Sequence, residues 1–553
     1  MASTALAPGE LSARDSLAPA RSDHGIDRPL PRWTRWAFVV ALIGGLIYAG
    51  ASVLTDTQQV GEQLATGVFL FLALALLIAL GFEFVNGFHD TANAVATVIY
   101  TNAMPAPVAV VWSGVWNFLG VLASTGAVAY SIITLLPVDL ILNVGSAAGY
   151  AMIFALLLAA VGWNLATWWV GLPNSSSHAL IGSILGVGVA NQLISGSRGG
   201  TAGLDLAQVE KVLSALLVSP LIGFVGALVL IVVMKQVAPN PKLYKAPEGD
   251  APPPRGIRAV LIFSCTAVSF AHGGNDGQKG MGLIMLILIG CAPTAYALNR
   301  AVPESETPAF VQSTDRAATA FRAHAGSIVV PYDRARGVLT SALQAKKADA
   351  PIVYAAIDTV ARDVGQRLAG YGSLRNVPSA ATPNMRNDMY LVLDTAKLVV
   401  HDGKAPAAFT QGETEAIAGY QKRLEQGTRY IPNWVKITVA LALGLGTMVG
   451  WRRIVKTVGE KIGSAEFTYG MGTAAQLMAA ATILLAQLKG LPVSTTHILS
   501  SGVAGAAVGN GQSLQRRTIA NMALAWVMTL PIAMLLSGGL YWLLLTGARM
   551  AGL

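Results

Sequence analysis

Eight apolar stretches set the tightest limit on what this chain can become: residues 36–54, 67–85, 108–136, 146–171, 209–234, 434–450, 470–488 and 519–545. Each approaches or exceeds the roughly 20 residues that a helix needs to cross a bilayer. In hydrocarbon a backbone must satisfy its own N–H and C=O groups, and a helix does so within one segment. The expected fold is an all-α polytopic membrane protein. Composition agrees, since 53% of the 553 residues are hydrophobic and only 12% charged, against about 25% charged in a soluble domain. The formal net charge of +9 comes from basic residues scattered over short loops, with no stripe of interleaved aromatics, so no nucleic-acid partner is expected. Cys265 and Cys291 lie in apolar settings and read as packing residues, not as a disulfide or thiolate metal site.

Residues 1–35 are rich in Ala, Pro, Ser and Arg and read as a disordered tail before an extra N-terminal transmembrane helix at 36–54. Ala49-Gly50-Ala51 has the small residues of a cleavage site, which leaves processing open, but the long preceding segment fits a retained anchor better.

Two motifs occur twice. The sequence NGFHDTAN at 86–93 is matched by HGGNDGQK at 272–279, in register at an offset of 186 that also carries Pro107 onto Pro293. GLPNSSSH at 171–178 is matched by GLPVSTTH at 490–497, and Asn191 and Asn510 each lie thirteen residues beyond the motif's histidine. The chain thus reads as two copies of one unit. The interval from first to second motif is 88 residues in one copy and 221 in the other, so the second holds about 133 extra residues. These fall at 301–430, a polar stretch with charges of both signs and helical periodicity, expected to be a soluble helical insert. The first repeat then spans 67–235, a linker 236–258, and the second repeat 259–293 and 432–546.

Lys and Arg in short loops give the orientation. Arg28, Arg32 and Arg35 precede the first helix, whereas the next loop has Asp56 and Glu62; Lys235, Lys242, Lys245, Arg255 and Arg258 precede the second repeat. The N-terminus and the 236–258 linker are expected inside, the insert and the C-terminus outside, and the two repeats antiparallel. The cell inner membrane is the expected location.

Inverted repeats with interrupted helices characterise secondary transporters, whose sites lie near the midplane between the halves. Asp90 and Asp276 are costly in a bilayer and mark an ion or proton path, with His89, Asn93, Asn275 and Lys279 beside them. A single Asp in a Gly-rich setting could simply cap a broken helix; duplication at matching positions argues against that. Gly87 and Gly273-Gly274 are the expected breaks. In the second motif, Ser175, Ser176 and Ser177 and their counterparts Ser494, Thr495 and Thr496 supply hydroxyl donors at a helix start, where free N–H groups and the dipole favour an anion. His178 and His497 could donate to the oxyanion or shuttle protons, or pack as ordinary core histidines. The roughly twelve residues after each histidine, 179–190 and 498–509, are too short to span and predict re-entrant hairpins.

At these four motifs, and over about 400 residues, the chain resembles the bacterial proton-coupled branch of the inorganic phosphate transporter (PiT) family, through GFHDTANAVATVIYT, AHGGNDGQKGMGLIMLILIG, GLPNSSSH and GLPVSTTH. The resemblance implies proton-coupled symport of inorganic phosphate, carried as a neutral complex with a divalent metal such as Mg, Ca or Zn. It implies no resident cofactor and no catalytic residue. Sodium-using members carry Asn three residues after each Asp; Asn93 keeps it, but Lys279 replaces it. A fixed ammonium there could stand in for sodium, or Lys279 could snorkel to a surface. The alternatives are a sodium-coupled phosphate symporter, a sulfate permease of the same fold, an intramembrane hydrolase built on the Ser–His neighbours, and a passive anion channel. The oligomeric state, the metal and the purpose of the insert are not legible in the sequence.

Overall fold

Predominantly apolar side chains leave each membrane-length segment one way to satisfy its backbone, and the chain takes it. A computed structural model describes residues 26, 32–62, 64–136, 141, 145–195, 206–247, 249, 251–400, 406 and 408–551. The tail expected at 1–35 lies outside these residues except at 26 and 32–35, where the first helix already begins at Arg32.

Nine helices among the described residues are long and apolar enough to cross a membrane. They are α1 (Arg32–Gln59), α2 (Thr66–Tyr100), α3 (Ala106–Ala123), α5 (Ala147–Trp169), α6 (Ser176–Ser195), α7 (Leu206–Val237), α8 (Arg255–Cys291), α16 (Tyr469–Leu488) and α18 (Arg516–Met550). Between them come the shorter α4 (Ala127–Ile133), α14 (Asn433–Gly446), α15 (Arg452–Glu460) and α17 (Thr495–Gly509). Helices α1, α7 and α18 turn large apolar side chains outward, with Trp36, Leu217 and Leu535 exposed by 72%, 74% and 76%. Such a surface is tolerable only against lipid or another protein.

Three expectations need correction. The stretch 108–136 is two helices, because Gly126 between α3 and α4 takes a left-handed backbone at φ +89°. The stretch 434–450 forms only the 14-residue α14. Beyond it the chain turns, with Gly450 at φ +72°, a conformation that only glycine adopts without cost. Finally, α2 and α8 are not broken at Gly87 or Gly273-Gly274; both run through as continuous helices. Those glycines serve close approach instead. A Cβ on Gly87 would lie 2.3 Å from the Leu443 carbonyl oxygen, and one on Gly273 would lie 2.1 Å from that of Asn117. The contacts are reciprocal, since a Cβ on Gly446 would meet the Phe84 oxygen at 2.2 Å and one on Gly120 the Phe270 oxygen at 2.1 Å. Small residues at crossings are how helices associate where no hydrophobic gradient pulls them together.

The resulting partnerships cross between the helices of residues 66–237 and those of residues 255–550. Helix α2 packs on α14 while α8 packs on α3, and α6 packs on α18 while α17 packs on α7. The second exchange also runs through glycines: Gly186 of α6 lies against the Met534 carbonyl, and Gly505 of α17 against that of Phe224.

The described residues of 304–428 fold into α9 (Thr307–Ala323), α10 (Tyr332–Ala345), α11 (Pro351–Tyr371), α12 (Thr382–Val399) and α13 (Gln411–Thr428). They bury a core of their own that includes Phe310, Phe321, Leu339, Ile357, Met389 and Tyr420. Buried Asp388 receives Arg336 at 2.8 Å and Arg367 at 2.5 Å, and a Thr410–Glu413 capping box opens α13. This unit shares one end of the bundle with the α1–α2 connection. There Asp56 accepts from the Tyr296 hydroxyl (2.8 Å) and the Trp434 indole (3.0 Å). At the other end Arg453 donates to the Trp169 carbonyl (2.7 Å), Arg258 to that of Ala103 (2.8 Å) and Lys235 to that of Gly509 (3.0 Å).

Candidate functional site

Two loops enter the bundle from opposite ends. The α5–α6 loop starts at Gly171, whose carbonyl accepts from Thr457 at the basic end. The α16–α17 loop starts at Gly490, which sits against Ala127 at the end that carries the insert. Proline and left-handed glycine end α5 and α16, and hydroxyl residues open α6 and α17. Ser494 caps α17 by accepting the His497 N–H (3.2 Å), and Ser175 accepts the His178 N–H in the same way (3.1 Å). The first hydroxyl of each motif is thus an N-cap. The second hydroxyls behave alike as well: Ser176 donates to Asp90 Oδ2 (3.3 Å) and Asn86 Oδ1 (2.7 Å), and Thr495 lies 3.5 Å from Asp276 Oδ2.

The third hydroxyls cross over. Thr496 of the second motif donates to Asp90 of the first copy, and Ser177 of the first motif meets Lys279 of the second. Ser177 also donates to the Val493 carbonyl at 2.7 Å, tying the two loops together. Lys279 is fully buried and lies 2.8 Å from Asp276 Oδ2. It does not snorkel, because its ammonium is held by that carboxylate and by Ser177, with no length to spare for a surface. Asn275 Nδ2 donates to the Leu491 carbonyl at 3.2 Å.

His272 stands between the two aspartates, its Nε2 3.6 Å from Asp90 Oδ2 and 3.6 Å from Asp276 Oδ2. Asn117 of α3 holds its Nδ1 at 2.6 Å. One ligand atom from each of Asp90, His272 and Asp276 falls within 4.8 Å of the others, a spacing that suits one small cation or a shared proton. The sequence reading assigned His272 no role. Its place four residues before Asp276, on the same helix face, was the available signal. Glu83, fully buried against Gly280, was also missed. A lone carboxylate in the 67–85 stretch is by itself a functional signal.

Other expected residues lie apart from this centre. The rings of His178 and His497 pack on each other at 4.5 Å, and His497 stacks on Trp526 at 4.1 Å. His89 turns toward Thr167 of α5 at 3.3 Å. Asn93 lies in α2, but its side chain is outside the described residues. The segment after His178 is longer than expected. Helix α6 has 20 residues and continues past Asn191, whose side-chain oxygen accepts from the buried Tyr541 hydroxyl at 2.8 Å. That bond satisfies the amide inside the helix. The second segment, α17, remains short at 15 residues.

The chain can now be set beside known proteins. The low-affinity inorganic phosphate transporter PitA of Escherichia coli (strain K12) is 42% identical over 504 residues, which cover 87% of this chain and 98% of that protein. PitB of the same strain is 42% identical over 88% of this chain and 98% of its own, and a low-affinity inorganic phosphate transporter of Buchnera aphidicola is 39% identical over 86% and 97%. A solved structure titled the sodium-dependent phosphate transporter matches at 19% identity and TM-score 0.46, covering 86% of this chain and 99% of that one. The family model described as phosphate transporter family matches residues 86–537, a span that contains both copies of both motifs and the whole buried centre, and the chain belongs to that family.

Proposed function

We propose that the chain is a secondary active symporter that imports inorganic phosphate across the cell inner membrane with protons. The carrying observation is the crossed contact between copies, in which Thr496 reaches Asp90 while Ser177 reaches Lys279 beside Asp276. Each loop's hydroxyl is spent on the other copy's charged group, so the arrangement is closed. A phosphate that took the hydroxyls of Ser176, Ser177, Thr495 and Thr496 would have to release the carboxylates. The released carboxylates would then be free to take protons, which couples anion binding to proton binding.

In this reading α2, α3, α5, α6 and α7 form a repeat over 67–235 that is inverted relative to α8, α14, α16, α17 and α18 over 259–293 and 432–546. The α5–α6 and α16–α17 hairpins are re-entrant, with helix N-termini facing phosphate. Their entry from opposite ends and the exchanged helix partnerships support this. The basic end is cytoplasmic and the insert end extracytoplasmic, with the N-terminus inside and the C-terminus outside. Protons ride on the Asp90–His272–Asp276 group, and Lys279 occupies the place a sodium ion would take. His178, His497, Ser175 and Ser494 shape the anion site from its rim. Whether phosphate travels free or as a neutral metal complex is decided by the metal dependence of uptake.

The test is uptake of radiolabelled phosphate into proteoliposomes under an imposed pH gradient, with and without sodium and with excess sulfate. Uptake driven by the proton gradient and indifferent to both ions is expected, and abolition of accumulation by an uncoupler. Sodium dependence or sulfate block in the unaltered protein would overturn the coupling ion or the substrate. Lys279→Asn is expected to weaken the response to the pH gradient about tenfold or more, the scale of one buried charge interaction worth about 1.4 kcal/mol. A variant that keeps full proton coupling would remove the ammonium from the mechanism.

A further inference from the structure

Between the insert and the bundle lies a cavity of about 820 Å³, walled by α10, α12 and α13 on one side and by α4, α7 and the Lys489-Gly490 turn on the other. Its lining carries six cationic side chains, Lys211, Lys346, Lys397, Lys422, Arg429 and Lys489, against two carboxylates, Asp394 and Glu425. Both carboxylates are already engaged, Asp394 by Arg429 at 2.7 Å and Glu425 by Lys397. Lys211, Lys346, Lys422 and Lys489 are exposed, so the surplus of positive charge faces water. Low-dielectric walls around such a surplus focus the field and concentrate anions.

The floor of this cavity is adjacent to the buried centre. Gly490 lines the cavity, and the next residue, Leu491, accepts from Asn275 at 3.2 Å. Ala127 also lines it, and the next residue, Val128, donates to Gln278 Oε1 at 2.9 Å. Asn275 and Gln278 flank Asp276 on α8. Anything collected in the cavity therefore waits one residue from the segments that close the site.

We propose that this cavity is a capture site for the phosphate oxyanion, an antechamber that the insert completes. The inference rests on the transport reading, but it adds a second site and a charge state: a neutral metal–phosphate complex would gain nothing from a cationic chamber. The shared chemistry is a phosphate group with net negative charge, whose source is either free phosphate or an anionic lipid headgroup.

The test compares wild type with Lys346→Glu/Lys422→Glu in proteoliposomes of phosphatidylcholine, with and without phosphatidylglycerol, at low and high ionic strength. Capture predicts that the double variant raises the KM for phosphate about tenfold at low salt with Vmax unchanged. The difference should shrink at high salt and be present in both lipids, and Lys346→Arg/Lys422→Arg should keep the wild-type KM. Should the double variant fail to accumulate, Lys422→Gln alone, at an exposed position of α13, carries the test with an expected rise of about threefold. An unchanged KM at low salt overturns the proposal, as does an effect confined to phosphatidylglycerol vesicles, which would assign the cavity to lipid. Wild-type protein that takes up no phosphate would instead sink the transport reading, so the two failures are distinguishable.

Discussion

Replacing Asp276 with asparagine is expected to cut phosphate uptake at least a hundredfold and to lower thermal stability as well, and the two losses separate in a double variant. Asp276 is fully buried and holds the equally buried ammonium of Lys279 at 2.8 Å. Removing one partner of a buried pair leaves the other charge uncompensated, at about 3–5 kcal/mol. Asp276→Asn therefore removes the ion-pair partner of Lys279 and leaves its ammonium on two uncharged hydrogen-bond partners, Ser177 and the Val493 carbonyl. In Asp276→Asn/Lys279→Met both charges are gone, and an apolar chain of similar length fills the space, so most of the stability should return. Uptake should not, since the proposed coupling places a proton on that carboxylate; loss of a positioned proton-transfer group typically costs about 10²–10⁴ in rate. Thermal unfolding in detergent and initial uptake rates measure the two effects. Near-wild-type uptake in either variant would remove Asp276 from the coupling mechanism.

The second large effect is expected at Gly273, from a single methyl group. The Cβ of Gly273→Ala would sit 2.1 Å from the Asn117 carbonyl oxygen and 2.8 Å from its carbonyl carbon. Both atoms are backbone, so relief requires α3 and α8 to move apart. Overpacking costs about 1–3 kcal/mol in a well-packed interior, and here the displacement also pulls Asn117 away from His272, which it holds at 2.6 Å. Gly273→Ala should reduce the yield of folded protein and lower uptake per folded molecule more than tenfold. Gly162→Ala on α5, with nothing within 4 Å of the new Cβ, should be silent in both. Equal behaviour of the two variants would mean that the α3–α8 crossing tolerates expansion.

These residues show what could be read in advance. Apolar length located seven of the nine membrane-length helices among the described residues and passed over α6 and α8, whose motif residues interrupt the apolar run. The duplicated motifs marked two loops that meet inside the bundle, because a repeat is visible without knowing what packs on what. Reasoning failed where a residue's meaning depends on its partner. A glycine inside a membrane helix signals either a break or a close crossing, and only the facing backbone at Leu443 or Asn117 decides between them. The segment after His178 looked too short to span, and the bond that Asn191 within α6 accepts from Tyr541, 350 residues away, was not visible in advance. Lys279 was long enough to reach a surface, and Asp276 on its own helix kept it from doing so.

The exchanged partnerships carry a consequence for how the protein is made. The face of α2 at Gly87 is covered by α14 at Gly446, which leaves the ribosome more than 350 residues later, after the entire insert. At about 5–20 residues per second, α2 waits roughly 20 to 70 seconds with a helix-binding groove open in the lipid. The carboxylates of Glu83 and Asp90 wait a shorter time for α8, whose Asp276 follows Asp90 by 186 residues, or roughly 10 to 40 seconds. The insert, whose helices are all synthesised between α8 and α14, lengthens the time for which the groove at Gly87 stays uncovered.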